Sequence, residues 1–123
     1  MTGKVLIIDD NPTHIMYTEE ILQADGHEVV VNRGGFGATM KLLKERPDVV
    51  LLDVNMPGLS GEAVAGLLSR CHTEHPTSIL LYSSNDEDSL RRTAHSLGTD
   101  FVMKGDPQAL RLAVRRAVGA RRR

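Results

Sequence analysis

Four short apolar runs in this chain each end in a residue able to do chemistry: Asp9-Asp10 after Val5–Ile8, Asp53 after Val49–Leu52, Ser83-Ser84 after Ile79–Leu81, and Lys104 after Phe101–Met103. If these runs are parallel strands of one sheet, all four groups gather on the rim formed by the carboxyl ends. Three carboxylates there repel one another, since two unit charges about 4 Å apart at an effective dielectric near 20 cost roughly 4 kcal/mol. A positive group must share the site. Mg²⁺ suits it, because this hard cation takes one or two carboxylates, keeps several waters and leaves room for phosphate oxygens. Lys104 adds a fixed positive charge and the Ser83 hydroxyl a hydrogen bond. A carboxylate nucleophile, a metal and a lysine together have the parts that phosphoryl transfer requires.

Singly, each feature has an ordinary explanation: an Asp pair as a turn or helix cap, a serine as a cap, a lysine at the surface. The weight lies in the combination, four strand ends carrying complementary groups on one rim.

The elements that must position this rim read clearly. Apolar runs at Val5–Ile8, Val29–Val31, Val49–Leu52, Ile79–Leu81 and Phe101–Met103 are too short and too evenly spaced for helices, and predict five strands. Amphipathic stretches at Thr13–Ala24, Ala38–Glu45, Glu62–Arg70, Asp86–Leu97 and Pro107 to about Ala120 predict five helices between and after them. Asn11-Pro12 is expected to open the first helix, with Gly26 after its end; Ser84 to Glu87 has capping-box spacing, Gly98 closes that helix, and Asp106-Pro107 starts the last. Gly34, Gly35 and Gly37 crowd the start of the second helix, each costing up to about 1 kcal/mol against alanine if helical. Strict βα alternation with right-handed crossovers predicts an α/β fold: a doubly wound, three-layer flavodoxin-like sandwich with five parallel strands in the order 2-1-3-4-5. Ligands of such sheets bind outside the carboxyl ends of the strands, at the switch point, which is the rim already singled out.

Composition bounds the rest. The 123 residues suit one domain, with 41% apolar and 25% charged residues and a formal net charge of −1. Aromatics make up only 3%, so stacking of single-stranded nucleic acid is not expected. Cys71 alone forms no internal disulfide, no run approaches the roughly 18 apolar residues of a membrane span, and no signal-peptide pattern opens the chain, so a cytoplasmic location is expected. Arg115, Arg116 and Arg121 to Arg123 gather basic charge at one end, read as a solvated helix face and, at 121–123, a disordered tail beyond a domain spanning 1–120.

The chain resembles the receiver domains of bacterial two-component response regulators over nearly its whole length. The resemblance rests on Val5-Leu6-Ile7-Ile8-Asp9-Asp10, on the segment from Val50 through Asp53 to Gly61, on Leu81-Tyr82-Ser83-Ser84 and on Phe101-Val102-Met103-Lys104. It implies that Asp53 is the phosphoacceptor, that Asp10 binds Mg²⁺ (or Mn²⁺) directly with Asp9 assisting through water, and that Asn55 offers its backbone carbonyl. It further implies that Ser83 and Lys104 bind phosphoryl oxygens, that Ser83 and Phe101 form the switch, and that Asn55 and Asn85 tune hydrolysis of the acyl phosphate. The implied donor is a sensor histidine kinase or phosphotransfer protein. The implied reader is a protein docking on the face made by the fourth helix, fifth strand and fifth helix, the domain itself being a monomer or weak homodimer.

Two departures are evident. Gly105 follows Lys104 where the family usually has a proline joined in cis; a non-proline cis bond costs roughly 2.5 to 4 kcal/mol, so a trans bond is expected. Tyr82 should point away from Ser83, with no assigned role. The rivals are a phosphatase of the haloacid-dehalogenase type, which needs an acid where Asn55 stands, and a pseudo-receiver that binds partners without phosphorylation. No enzyme activity beyond self-phosphorylation and autodephosphorylation is expected. Direct DNA binding is not expected either. The histidines, including His14, His27, His72, His75 and His95, read as ordinary helix, loop or surface residues.

Overall fold

The computed structural model describes residues 2–56, 66, 76–84 and 86–121. Among these the chain forms β1 (Lys4–Asp9), α1 (Pro12–Ala24), β2 (Glu28–Arg33), α2 (Ala38–Glu45), β3 (Val49–Asp53), β4 (Ser78–Ser83), α3 (Glu87–Leu97), β5 (Asp100–Met103) and α4 (Pro107–Arg121). The expected helix at Glu62–Arg70, apart from residue 66, lies outside the described residues, as do His72, His75 and Asn85. All strand pairings are parallel, and the order is β2-β1-β3-β4-β5, as the alternation predicts. No helix among the described residues is long and apolar enough to cross a membrane.

Two-residue periodicity divides the core between the two faces of the sheet. Val5, Ile7, Val49, Leu51, Leu80 and Tyr82 face α1 and α4, meeting Ile15, Leu22, Leu110 and Val114. Leu6, Ile8, Val50, Leu52 and Leu81 face the other way, toward Ala38 and Leu42 of α2 and Leu90 and Ala94 of α3. β3 is buried along its whole length, which explains why its sequence is a continuous apolar run rather than an alternation. Fixing β3 in the middle of the sheet fixes Asp53 at the middle of the rim.

Local caps set the helices' entry points. The Asn11 side chain accepts from the Thr13 and His14 backbone amides with Pro12 in the first turn, and Asp106 Oδ1 accepts from the Gln108 and Ala109 amides. The cap of α3 is Asp86, which accepts from Ser89 N, two residues later than the Ser84 that the capping-box spacing predicts. Ser84 is instead the exposed residue directly after β4. As its glycines foretold, α2 is weakly started: Gly37 at its head has φ +76° and lends no side-chain cap. At the other end of the molecule Arg115 forms an ion pair with Asp25, so this arginine ties α4 to the end of α1 rather than belonging to a free basic patch.

Candidate phosphoryl-acceptor site

The two buried carboxylates at the rim are each held by a backbone amide two residues ahead. Asn11 N donates to Asp9 Oδ1 at 3.0 Å, and Asn55 N donates to Asp53 Oδ1 at 2.9 Å. These turns begin where the strands run out, so the same local geometry ends each strand and fixes its acid. Asp9 and Asp53 are buried, 1% and 4% exposed, while Asp10 is open to solvent. Asp9, Asp10 and Asp53 each present one carboxylate oxygen, all within 4.8 Å of one another.

Lys104 reaches this cluster from the end of β5. Its ammonium donates to Asp9 Oδ2 at 2.8 Å and lies 3.5 Å from Asp53 Oδ2. Its backbone amide donates to the Ser83 carbonyl at 2.9 Å, joining the ends of β4 and β5. The buried Ser83 ends β4 next to Tyr82, which pairs in register with Asp53. The sequence-predicted residues Asp9, Asp10, Asp53, Ser83 and Lys104 thus all come to one rim. Phe101 sits on β5, half-buried against the α3-side core, with the Arg91 guanidinium 5.7 Å from its ring centre. Asn55 is exposed just past Asp53. Every peptide bond among the described residues is trans, including Lys104–Gly105, and Gly105 takes φ +99°.

Burial raises the affinity of both buried acids for a proton, but the two resolve differently. At Asp9 burial is outweighed by the Lys104 ammonium and the Asn11 amide, and the carboxyl stays below its ordinary range. At Asp53 burial prevails over the Asn55 amide and the more distant lysine, with the charge of Asp9 adding to it, so its pKa lies above the ordinary value. Of the two buried acids, Asp53 is therefore the one whose charge is less well compensated. One ammonium against three carboxylates leaves the rim negative. That donor set, three hard oxygens in reach of one point, fits a small divalent cation such as Mg²⁺.

Two residues near the lysine have no role assigned by sequence. His14, on the first turn of α1, accepts from Lys104 Nζ through Nδ1 at 2.9 Å. Tyr82, on the opposite side of β4 from Ser83 as its parity requires, lies with its ring centre 5.3 Å from the Lys104 ammonium, and its hydroxyl shares a 3.0 Å hydrogen bond with Thr18. The available signal was position: His14 falls four residues after Asp10, in the helical turn that starts at the rim.

Residues 5–115 match the family model for the response regulator receiver domain. The chain belongs to that family. The receiver is 36% identical over 107 residues to a protein-glutamate methylesterase/protein-glutamine glutaminase of Archaeoglobus fulgidus, covering 84% of this chain but 30% of the relative. It is 29% identical over 111 residues to the polar-differentiation response regulator DivK of Brucella anthropi, covering 90% of this chain and 77% of that protein. Among solved structures, the chemotaxis response regulator CheY4 of Vibrio cholerae superposes with a TM-score of 0.81 at 27% identity, covering 95% of the receiver and 99% of that chain. NtrX of Brucella abortus gives a TM-score of 0.87 at 25% identity, covering 99% of the receiver and 28% of that chain. The receiver thus spans less than a third of some relatives and nearly the whole of others.

Proposed function

We propose that the receiver takes a phosphoryl group onto Asp53 from a phosphohistidine of a sensor kinase or phosphotransfer protein. The observation that carries this reading is the asymmetry of the two buried acids: Asp9 is neutralised by Lys104, whereas Asp53 remains buried and poorly compensated beside the same lysine. In the transfer an Asp53 carboxylate oxygen attacks phosphorus, the phosphorus–nitrogen bond breaks, and the leaving imidazole takes a proton from solvent. Mg²⁺ would be held by Asp9, Asp10, Asp53 and the Asn55 carbonyl, and would supply positive charge against the acids and the incoming phosphoryl oxygens.

The chain's own groups do the rest. Lys104 extends from Asp9 toward a phosphoryl oxygen, and the Ser83 hydroxyl donates to another. The phosphoryl group, carrying nearly two negative charges, favours the arrangement in which both reach it, and Phe101 turns inward beside Ser83. The face of α3, β5 and α4 then presents a changed surface to a downstream protein in the cytoplasm. Moving such an equilibrium from 1:99 to 99:1 takes about 5.5 kcal/mol, within reach of several charge-assisted bonds. In this reading Asn55 and Asn85 tune the lifetime of the acyl phosphate.

The test is to incubate the protein with Mg²⁺ and acetyl phosphate and weigh it intact. A gain of about 80 Da, one phosphoryl group, that disappears on chelation and in Asp53→Asn is the expected result. No gain in the unaltered protein overturns the reading.

A further inference from the structure

The lysine at the end of β5 is anchored by its amide on the Ser83 carbonyl at 2.9 Å, while its long side chain is placed by contacts of its own. Gly105, directly after it, lies at φ +99° with nothing within 4 Å of where a Cβ would stand. Behind the lysine a cavity of about 340 Å³, lined in part by Thr13, His14, Tyr17, Tyr82 and Gly105, gives its side chain room to swing away from the acids. Yet the ammonium is held at the rim, and the groups that hold it come from three different elements: Asp9 from β1 at 2.8 Å, His14 from α1 at 2.9 Å, and the face of Tyr82 from β4 at 5.3 Å.

We propose that His14, backed by the Tyr82 ring, positions Lys104 for phosphoryl transfer; this deepens the Asp53 reading and rests on it. An ammonium has donors only, so the contact at His14 Nδ1 requires the ring to accept there and carry its proton on Nε2. With one N–H on Asp9 and one on His14, the third points toward Asp53, and the positive charge lies against the π-face of Tyr82. Tyr82 is itself fixed, since its hydroxyl is bonded to Thr18 of α1 at 3.0 Å. When the phosphoryl group arrives, Lys104 redirects the bonds to the acids toward it while the bond to His14 stays, which keeps the side chain out of the cavity. His14 is a positioning residue: it touches the lysine and not the reacting atoms.

The experiment has two arms. In the unphosphorylated protein, a long-range ¹H–¹⁵N spectrum should show His14 as the Nε2–H form with a hydrogen-bonded Nδ1, and the Nδ1 resonance should move in Lys104→Met. An unchanged resonance overturns the proposal whatever Asp53 does. In the second arm, His14→Leu should slow phosphoryl uptake at saturating Mg²⁺ and acetyl phosphate by about tenfold, the cost of one hydrogen bond to a charged group. His14→Asn, whose Oδ1 is attached to Cγ as Nδ1 was, should restore most of the rate, and the urea midpoint of both variants should stay near that of the unaltered protein. Equal rates in all three proteins overturn the clamp while leaving the Asp53 reading intact; absence of uptake in the unaltered protein overturns that reading and leaves the spectrum to decide the clamp.

Discussion

The two rims of the sheet treat charge in opposite ways. At the amino ends of the strands the charged groups are closed into pairs: Lys4 binds Glu45 at 2.9 Å and the Glu45 carbonyl at 3.0 Å, Asp48 Oδ2 accepts from Lys4 N at 2.8 Å, and Arg115 holds Asp25. At the carboxyl ends three acids share one lysine, and one acid is pushed toward its protonated form. The residue types are similar; the pairing is not. The first rim is assembled for stability, and the second holds an excess of negative charge that a divalent cation would relieve, as expected where local stability is given up for function.

Breaking the imbalance at its most exposed point should have the largest effect. Asp10→Ala removes an acid with little packing role, and phosphoryl uptake from acetyl phosphate should slow by roughly a hundredfold, as for loss of one preorganised electrostatic partner, with the urea midpoint little changed. The mirror experiment is Asp48→Ala on the other rim. It strands the Lys4 amide and should lower unfolding free energy by about 1 to 3 kcal/mol in urea titrations while uptake by the folded protein is unaffected. If both variants changed rate and stability alike, the contrast between the rims would be lost.

A smaller effect of opposite sign is expected at Asp53. An acid whose pKa is raised by burial works against the fold above that pKa, so Asp53→Asn should stabilise the metal-free protein, by about 1 kcal/mol, while retaining an oxygen for the Asn55 amide. Added Mg²⁺ should stabilise the unaltered protein more than this variant.

The smallest effect belongs to His27, on the amino side. Its Nδ1 accepts from Gly3 N at 3.1 Å, its Nε2 is buried without a hydrogen-bond partner among the described residues, and burial holds its pKa below the ordinary 6.5 despite Asp25 nearby. The unfolded chain then binds the proton more readily. Stability should be complete above pH 6.5 and fall as pH drops below it, and His27→Gln should flatten that part of the profile. A slope unaltered by the substitution would assign the pH dependence elsewhere.

The rim was legible in sequence because it depends on short-range rules. Strand period, βα alternation and the handedness of crossovers bring Asp9, Asp53, Ser83 and Lys104 to one edge before any contact is known, and the trans bond before Gly105 follows from its not being proline. What sequence could not give depends on side chains meeting across the fold. His14 and Lys104 are 90 residues apart, Tyr82 and Thr18 are 64 apart, and only the packing of α1 on the sheet brings each pair together. His27 reads in sequence as an ordinary helix or loop residue and is buried, its Nδ1 accepting from Gly3 N beneath the turn between α1 and β2. The cap of α3 was misplaced for the opposite reason: Ser84 and Asp86 are both competent caps by type, and only the observed bond to Ser89 N chooses Asp86.

The central claim is that the phosphoryl group resides on Asp53 and on no other acid of the rim. Borohydride reduction of the phosphorylated protein, followed by peptide mapping, reads this directly, because only an acyl phosphate is reduced to the alcohol. The reduced residue should be Asp53 alone, with Asp9 and Asp10 intact. Reduction at either of those acids, or phosphoryl label that survives borohydride on a histidine, would contradict it.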